Sequence, residues 1–144
     1  MHRSDIADLI LTRLEQETSS IKQNYQGSKD AIGYFYIDDL LPEDISTDIH
    51  RVLPVPGSMK LRKTLREYKY TAAQMDRYNP ILEEVIYAFQ DQRIVDFIGE
   101  SCKLGTLYPD EHLYAGGISL MERGHFLNPH LDNSHDKGQL SEGK

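Results

Sequence analysis

Histidine residues are concentrated near the end of this 144-residue sequence, together with Asp132 and Asp136, in a pattern that could bind a metal ion. Four of the six histidines follow residue 111, namely His112, His125, His130 and His135. His130 and Asp132 are two residues apart, so in a β-strand both side chains leave the same face of the sheet. An imidazole nitrogen and a carboxylate oxygen are donors that suit Fe(II). The spacing therefore predicts that His130 and Asp132 bind one metal ion.

The residues around this pair form a longer pattern. Residues 116–133 resemble the metal-binding strands of the Fe(II)/2-oxoglutarate-dependent dioxygenases, in the prolyl 4-hydroxylase-like branch. The family pattern has Tyr-x-x-Gly, a short stretch with an aromatic residue, and Pro-His-x-Asp-Asn. The matching residues are Gly124, Phe126, Pro129, His130, Asp132 and Asn133. The order upstream, a strand near residues 34–39 and then a helix that starts at a proline, is also similar to the family.

The resemblance implies both a fold and an activity. The fold is α+β, with N-terminal helices packed on the beginning of a double-stranded β-helix, or jelly-roll, core. The activity is oxidative decarboxylation of 2-oxoglutarate coupled to hydroxylation of a small-molecule or peptidyl substrate. Fe(II), 2-oxoglutarate and O2 are then required, and ascorbate is a further candidate cofactor. In this reading His130 and Asp132 are iron ligands.

The sequence departs from the family pattern in two ways. Met121 stands where the family often has a tyrosine that contacts the cosubstrate, which argues against a peptidyl-prolyl substrate. The family also has a second histidine and then an arginine or lysine several strands later, whereas this sequence ends at Lys144. We therefore expect an N-terminal portion of a longer oxygenase, incomplete at its C-terminus. His135 is disfavoured as the third ligand because it follows Asp132 by only three residues, and His125 is expected to be a solvated turn residue.

The elements that must position the pair are expected to be helices first and strands last. Apolar residues spaced three and four apart predict a helix from an N-cap at Ser4 to the break at residues 27–30. Residues 31–37 predict a strand, and Pro42 suits the first position of the next helix. From Asn79 to Gly99 the period predicts either two packed helices or one bent helix.

The C-terminal third predicts the metal-binding strands. Residues 113–121 contain Gly116 and Gly117 within an apolar run, which favours a strand with a close backbone approach over a helix. Residues 122–125 are a turn candidate, and residues 126–132 are the expected return strand. The whole sequence is then one domain, with helical support over about residues 1–104 and the start of an antiparallel metal-binding sheet over about residues 112–133.

Five basic residues lie between Ser58 and Tyr70, at positions 60, 62, 63, 66 and 69. Leucine and tyrosine residues interrupt them at mixed spacing, so we interpret the segment first as a solvated face. The alternative is a small basic patch for an acidic substrate or partner.

Composition excludes several classes of function. The net charge of −7 makes nucleic acid or an anionic membrane a poor partner. No apolar run approaches the roughly 18 residues of a membrane span, and residues 1–6 lack a signal-peptide pattern. The single Cys102 cannot form an internal disulfide, so we expect a reducing, cytoplasmic location. No pattern specifies an oligomeric state.

Two function hypotheses follow. The first is an Fe(II)- and 2-oxoglutarate-dependent oxygenase with His130 and Asp132 as iron ligands. The second is a non-catalytic α+β interaction or remnant domain in which both residues merely lie on the surface. Binding of Fe(II), or of Mn(II) as its redox-inert substitute, distinguishes them.

Overall fold

A computed structural model of the chain describes residues 1–112 and 117–130. These residues form five α-helices and a four-stranded antiparallel sheet, so the α+β class is confirmed. The helices are α1 (Arg3–Gln16), α2 (Thr18–Ser28), α3 (Glu43–Arg51), α4 (Pro80–Ala88) and α5 (Gln92–Cys102). The strands are β1 (Lys60–Lys63), β2 (Glu67–Ala72), β3 (Ile118–Leu120) and β4 (Phe126–Leu127).

The N-terminal helical segment begins and divides differently from the sequence prediction. His2, and not Ser4, is the N-cap of α1, because the His2 ring accepts a hydrogen bond from the Ser4 backbone N–H. Asp5 completes a reciprocal capping box by accepting from the His2 backbone N–H at 3.1 Å. The predicted single helix is interrupted at Glu17, where α1 ends and α2 begins.

The main hydrophobic core lies among the helices. Ile6 and Ile10 of α1 and Ile21 of α2 are at most 1% exposed. They pack with residues of α4 and α5, namely Ala88, Ile94 and Cys102. Burial of one such isoleucine is worth about 1.5–3 kcal/mol. The three- and four-residue spacing that predicted these helices is therefore the spacing that builds the core.

Residues 31–37 are extended but do not form the predicted strand within the described part of the chain. Their side chains alternate as a strand requires: Phe35 and Ile37 pack on the main core, whereas Tyr34 and Tyr36 are exposed. The backbone N–H of Tyr34 donates to the Ser28 hydroxyl at 2.9 Å. The Ser28 hydroxyl, at the end of α2, thus accepts a backbone hydrogen bond that a partner strand would otherwise accept.

The long apolar pattern after Asn79 forms two helices, one of the two predicted outcomes. The Asn79 side chain caps α4 by accepting from the Ile81 backbone N–H. Asp91 caps α5 in the same way, through the backbone N–H of Arg93. The second cap lies inside the apolar pattern, so it divides the pattern into two helices that pack on α1 and α2.

The basic segment forms a β-hairpin, which the sequence analysis did not predict. Strands β1 and β2 pair antiparallel, with Arg62 opposite Lys69 and Lys63 opposite Tyr68. The backbone N–H of Thr64 donates to the Glu67 carbonyl at 2.8 Å, and the Thr64 hydroxyl accepts from the Arg66 backbone N–H. These bonds close the turn.

A strand does form at Phe126–Leu127, within the predicted return strand, but both C-terminal strands pair with β2, so the predicted pairing of these two strands with each other is wrong. Tyr70 lies opposite Leu120 of β3, and Tyr68 lies opposite Phe126 of β4. Both pairings are antiparallel, so β3 and β4 run in the same direction along one side of β2. The predicted close approach at Gly117 is confirmed, since a Cβ there would lie 2.8 Å from the Ala72 carbonyl oxygen.

The sheet has two chemically different faces. Tyr70, Ala72 and Leu120 face a second, smaller hydrophobic cluster with Met59 and Met75. Alternation along the strands places Arg62, Lys69 and Thr71 on the opposite face. One face therefore packs on the rest of the protein, and the other carries charged and polar side chains.

Candidate functional site

Asn128 fixes the backbone that leads from β4 to His130. Its backbone N–H donates to the Arg66 carbonyl at 2.9 Å. Its side-chain Nδ2 donates to the Leu65 carbonyl at 2.7 Å. Both acceptors lie in the turn of the β1–β2 hairpin, so the segment beyond β4 is attached to the end of the sheet. The Asn-Pro pair at residues 128 and 129 is a local turn signal, but it does not specify these two distant acceptors.

The ring of His130 is exposed and is oriented by the backbone. Its Nδ1 lies 2.6 Å from the carbonyl oxygen of Asn128. A carbonyl can only accept, so Nδ1 carries the proton of this hydrogen bond. In the neutral imidazole the lone pair is then on Nε2. This is the tautomer and the kind of outer hydrogen bond that a metal-binding histidine uses.

The second predicted ligand, Asp132, lies outside the described residues, as do Asn133, His135 and Asp136. The same-face relation of His130 and Asp132 therefore stays a prediction. Among residues 1–112 and 117–130, no group of three or more His, Cys, Asp or Glu side chains is arranged to hold a metal ion. His112 is described and exposed.

His125 is not the solvated turn residue that the sequence analysis predicted. Its ring is half-buried, with centroids 4.2 Å from Tyr68 and 5.3 Å from Tyr70. Its Nδ1 atom is buried and has no hydrogen-bond partner within the described part of the chain. Tyr68 and Tyr70 lie two residues apart and so share one face of β2. That spacing is the sequence signal that could have identified an aromatic contact surface.

The local backbone explains why His125 turns inward. Gly124 has φ of 87°, a conformation that strongly favours glycine. The His125 backbone N–H donates to the Glu122 carbonyl at 3.0 Å and closes the predicted turn. The turn over residues 122–125 is thus correct, but it lies against β2 instead of joining two paired strands.

Cys102 and Glu84, a buried thiol and a half-buried carboxylate, have structural roles. Cys102 is 1% exposed, and burial raises the pKa of its thiol, which disfavours the reactive thiolate. Glu84 accepts hydrogen bonds from the Arg3 backbone N–H at 2.6 Å and from Arg3 Nε at 3.1 Å. The Arg3 hydrogen bonds lower the pKa of Glu84. Both residues therefore belong to the packing of the helices.

The donor set present in the described residues fits one metal ligand. His130 is exposed, lies three residues beyond the end of β4, and donates a hydrogen bond from Nδ1 to the Asn128 carbonyl.

Comparisons with known proteins add no further assignment. No family model, no curated protein and no solved structure matches the chain. No helix in the described ranges is long and apolar enough to cross a membrane.

Proposed function

We propose that this chain carries the metal-binding part of an Fe(II)- and 2-oxoglutarate-dependent oxygenase of the prolyl 4-hydroxylase-like type. The observation that carries the proposal is the hydrogen bond from His130 Nδ1 to the Asn128 carbonyl. It selects the imidazole tautomer in which Nε2 can donate to a metal ion. The fold we propose is a double-stranded β-helix, of which β2, β3 and β4 supply the first strands.

His130 and Asp132 would hold the metal ion. The Asn128 carbonyl accepts a hydrogen bond from Nδ1 and so orients the His130 ring. The Asp132 carboxylate supplies a negative oxygen donor two residues away. Fe(II), when bound, supplies coordination positions at which 2-oxoglutarate and O2 can meet.

Asn128 supports this arrangement from outside the ligand set. Its amide group bonds the Leu65 carbonyl across the sheet end, so the backbone carbonyl that faces His130 has a fixed direction. A fixed outer shell lowers the entropy that a ligand loses when the metal binds. The sheet thus positions the histidine before any metal arrives.

The test is a titration with Mn(II), followed by the electron paramagnetic resonance signal of the free ion. We expect the chain to bind Mn(II), and the variants His130→Ala and Asp132→Ala to weaken binding at least tenfold, because each removes one protein ligand. His112→Ala and Asp136→Ala are the matched controls. They remove the same groups at neighbouring positions and should leave the affinity unchanged.

The contrary result is equally specific. If all four variants bind Mn(II) as the parent does, His130 and Asp132 are surface residues and the non-catalytic α+β domain is the better assignment. If Mn(II) binds at His130 and Asp132, Fe(II)-dependent decarboxylation of 2-oxoglutarate is the next measurement, and its absence would limit the assignment to metal binding.

A further inference from the structure

The β1–β2 hairpin concentrates positive charge in an acidic protein. Residues 60–72, here named the basic hairpin, contain five basic residues and one acidic residue, although the whole chain has a net charge of −7. The basic residues are Lys60, Arg62, Lys63, Arg66 and Lys69. The metal site described above uses none of their side chains.

The polar face of this hairpin contains an unfavourable pair of like charges on opposite strands. Arg62 lies directly opposite Lys69, and like charges in that position repel each other. Glu67 is the counter-ion for both, 3.0 Å from Lys69 Nζ and 3.5 Å from an Arg62 nitrogen. Lys60 shares the face, and within the described residues its side chain has no ion pair. The face therefore holds three cations and one carboxylate, an excess that does not stabilise the hairpin.

The position of β1 adds a second feature. In the order β1-β2-β3 it is the edge strand of the described sheet, so its outer backbone groups face away from β2. The next turn is well fixed by Thr64 and Asn128, yet its Leu65 is 95% exposed. An ordered edge strand with cations along it, followed by an exposed leucine, has the properties of a preformed binding surface.

We propose that β1 binds an acidic segment of a partner protein by strand addition. In an extended peptide, alternate side chains are about 6.6–6.8 Å apart, as are Lys60 and Arg62 along β1. A peptide with a carboxylate at every second residue can therefore place one opposite Lys60 and one opposite Arg62. An apolar residue just beyond them reaches Leu65. Nucleic acid is disfavoured because the remainder of the chain is strongly acidic.

The experiment uses a fluorescent peptide of about ten residues that alternates Glu with Thr and has one Leu near its end. Fluorescence anisotropy with the full chain should show binding that weakens as salt rises from about 50 to about 200 mM, because the contacts are between exposed charges. A peptide with Gln in place of Glu should not bind. Backbone N-methylation on one edge should also abolish binding, because strand addition needs those donors.

Variants locate the site on the protein. Lys60→Gln with Arg62→Gln should weaken peptide binding about tenfold, whereas Lys22→Gln with Lys29→Gln, in α2 and at its C-cap, should not change it. Leu65→Ser should also weaken binding, in contrast to Ile32→Ser, which removes a similarly exposed apolar side chain elsewhere.

Any of these results would overturn the proposal: equal effects of the two lysine-containing double variants, equal binding of the Gln peptide, or tighter binding of an oligothymidine than of the Glu peptide. The last would identify a general polyanion surface. A further contrary result is that the parent binds no peptide, whereas the Lys60→Gln/Arg62→Gln variant self-associates. The charges would then only prevent the sheet edge from pairing with another copy of the chain. The parent's salt and N-methyl results do not depend on the folding of a variant. None of these readouts involves Mn(II), so this inference and the metal site can fail separately.

Discussion

His125 and His130 are five residues apart, yet the structure gives their imidazole rings opposite surroundings. The exposed His130 directs Nδ1 to a backbone carbonyl, whereas the half-buried His125 contacts Tyr68 and Tyr70 and leaves Nδ1 without a partner among the described residues. A buried polar atom without a hydrogen bond costs about 1–3 kcal/mol. The burial and hydrogen bonding of each histidine ring are thus determined by the residues that surround it.

Two substitutions of His125 distinguish the contribution of its ring contacts to stability from that of its Nδ1 atom. His125→Phe retains the contact with Tyr68 and removes the unsatisfied nitrogen, so we expect a free energy of unfolding equal to that of the parent or up to about 1 kcal/mol higher. His125→Ala loses the ring contact and should cost about 1–2 kcal/mol. Urea denaturation followed by circular dichroism measures both. If the phenylalanine variant is as unstable as the alanine variant, the nitrogen makes a stabilising bond after all.

For single residues, the sequence predicts those features that depend only on neighbouring residues in the chain. The two-residue spacing of His130 and Asp132 and the turn around Gly124 follow from neighbouring residues alone. The burial of His125 does not, because it depends on Tyr68 and Tyr70, which are more than fifty residues away in the sequence. Asn128 is an intermediate case: its turn chemistry is local, but its bonds to Leu65 and Arg66 are not.

Among the elements, the pairing of the strands differs most from expectation. Between the pairs Tyr70–Leu120 and Tyr68–Phe126, β2 advances by two residues and the opposite segment advances by six. Four extra residues leave the pairing and form the turn that carries His125. Helices were predictable because their apolar period is contained in each segment. Strand partners were not, because β2 lies on the other side of α4 and α5 in the sequence.

Gly117 tests the pairing of β3 with β2. Its φ is 136°, and an added Cβ would lie 2.8 Å from the Ala72 carbonyl oxygen, so Gly117→Ala should lower the free energy of unfolding by about 1–3 kcal/mol. Gly57→Ala is the matched control, because no atom lies within 4 Å of its added Cβ. We expect that control to be neutral or slightly stabilising. Equal stability of the two variants in urea would contradict the close approach at Gly117.

For the whole molecule, α4 joins the two hydrophobic clusters. Ile81 and Val85 pack on the main core, whereas Ile86 packs on the cluster beneath the sheet. Composition and periodicity predicted the α+β class, which the structure confirms, but local patterns did not predict that strands β1 and β2 lie within the predicted helical segment or that one helix contacts both clusters. The jelly-roll core remains a prediction.

The contact that attaches the start of the chain to α4 should make stability depend on pH. Arg3 hydrogen bonds lower the pKa of Glu84 in the folded protein, so its stabilisation is present above the unfolded pKa of about 4.3 and is lost as pH falls through the folded value. Glu84→Gln should therefore cost about 1 kcal/mol at pH 7, and this difference from the parent should shrink towards zero near pH 3.

The adjacent Glu83→Gln is the control for that measurement, because within the described residues Glu83 forms no ion pair or side-chain hydrogen bond. This variant should change the free energy of unfolding by less than about 0.5 kcal/mol. Urea titrations at several pH values give the comparison for all three proteins. A Glu84→Gln penalty that stays constant down to pH 3 would mean that the side chain acts by packing. A loss of stability that disappears at low pH shows that the Arg3–Glu84 ion pair, at the start of α1, contributes to the acid sensitivity of the whole molecule.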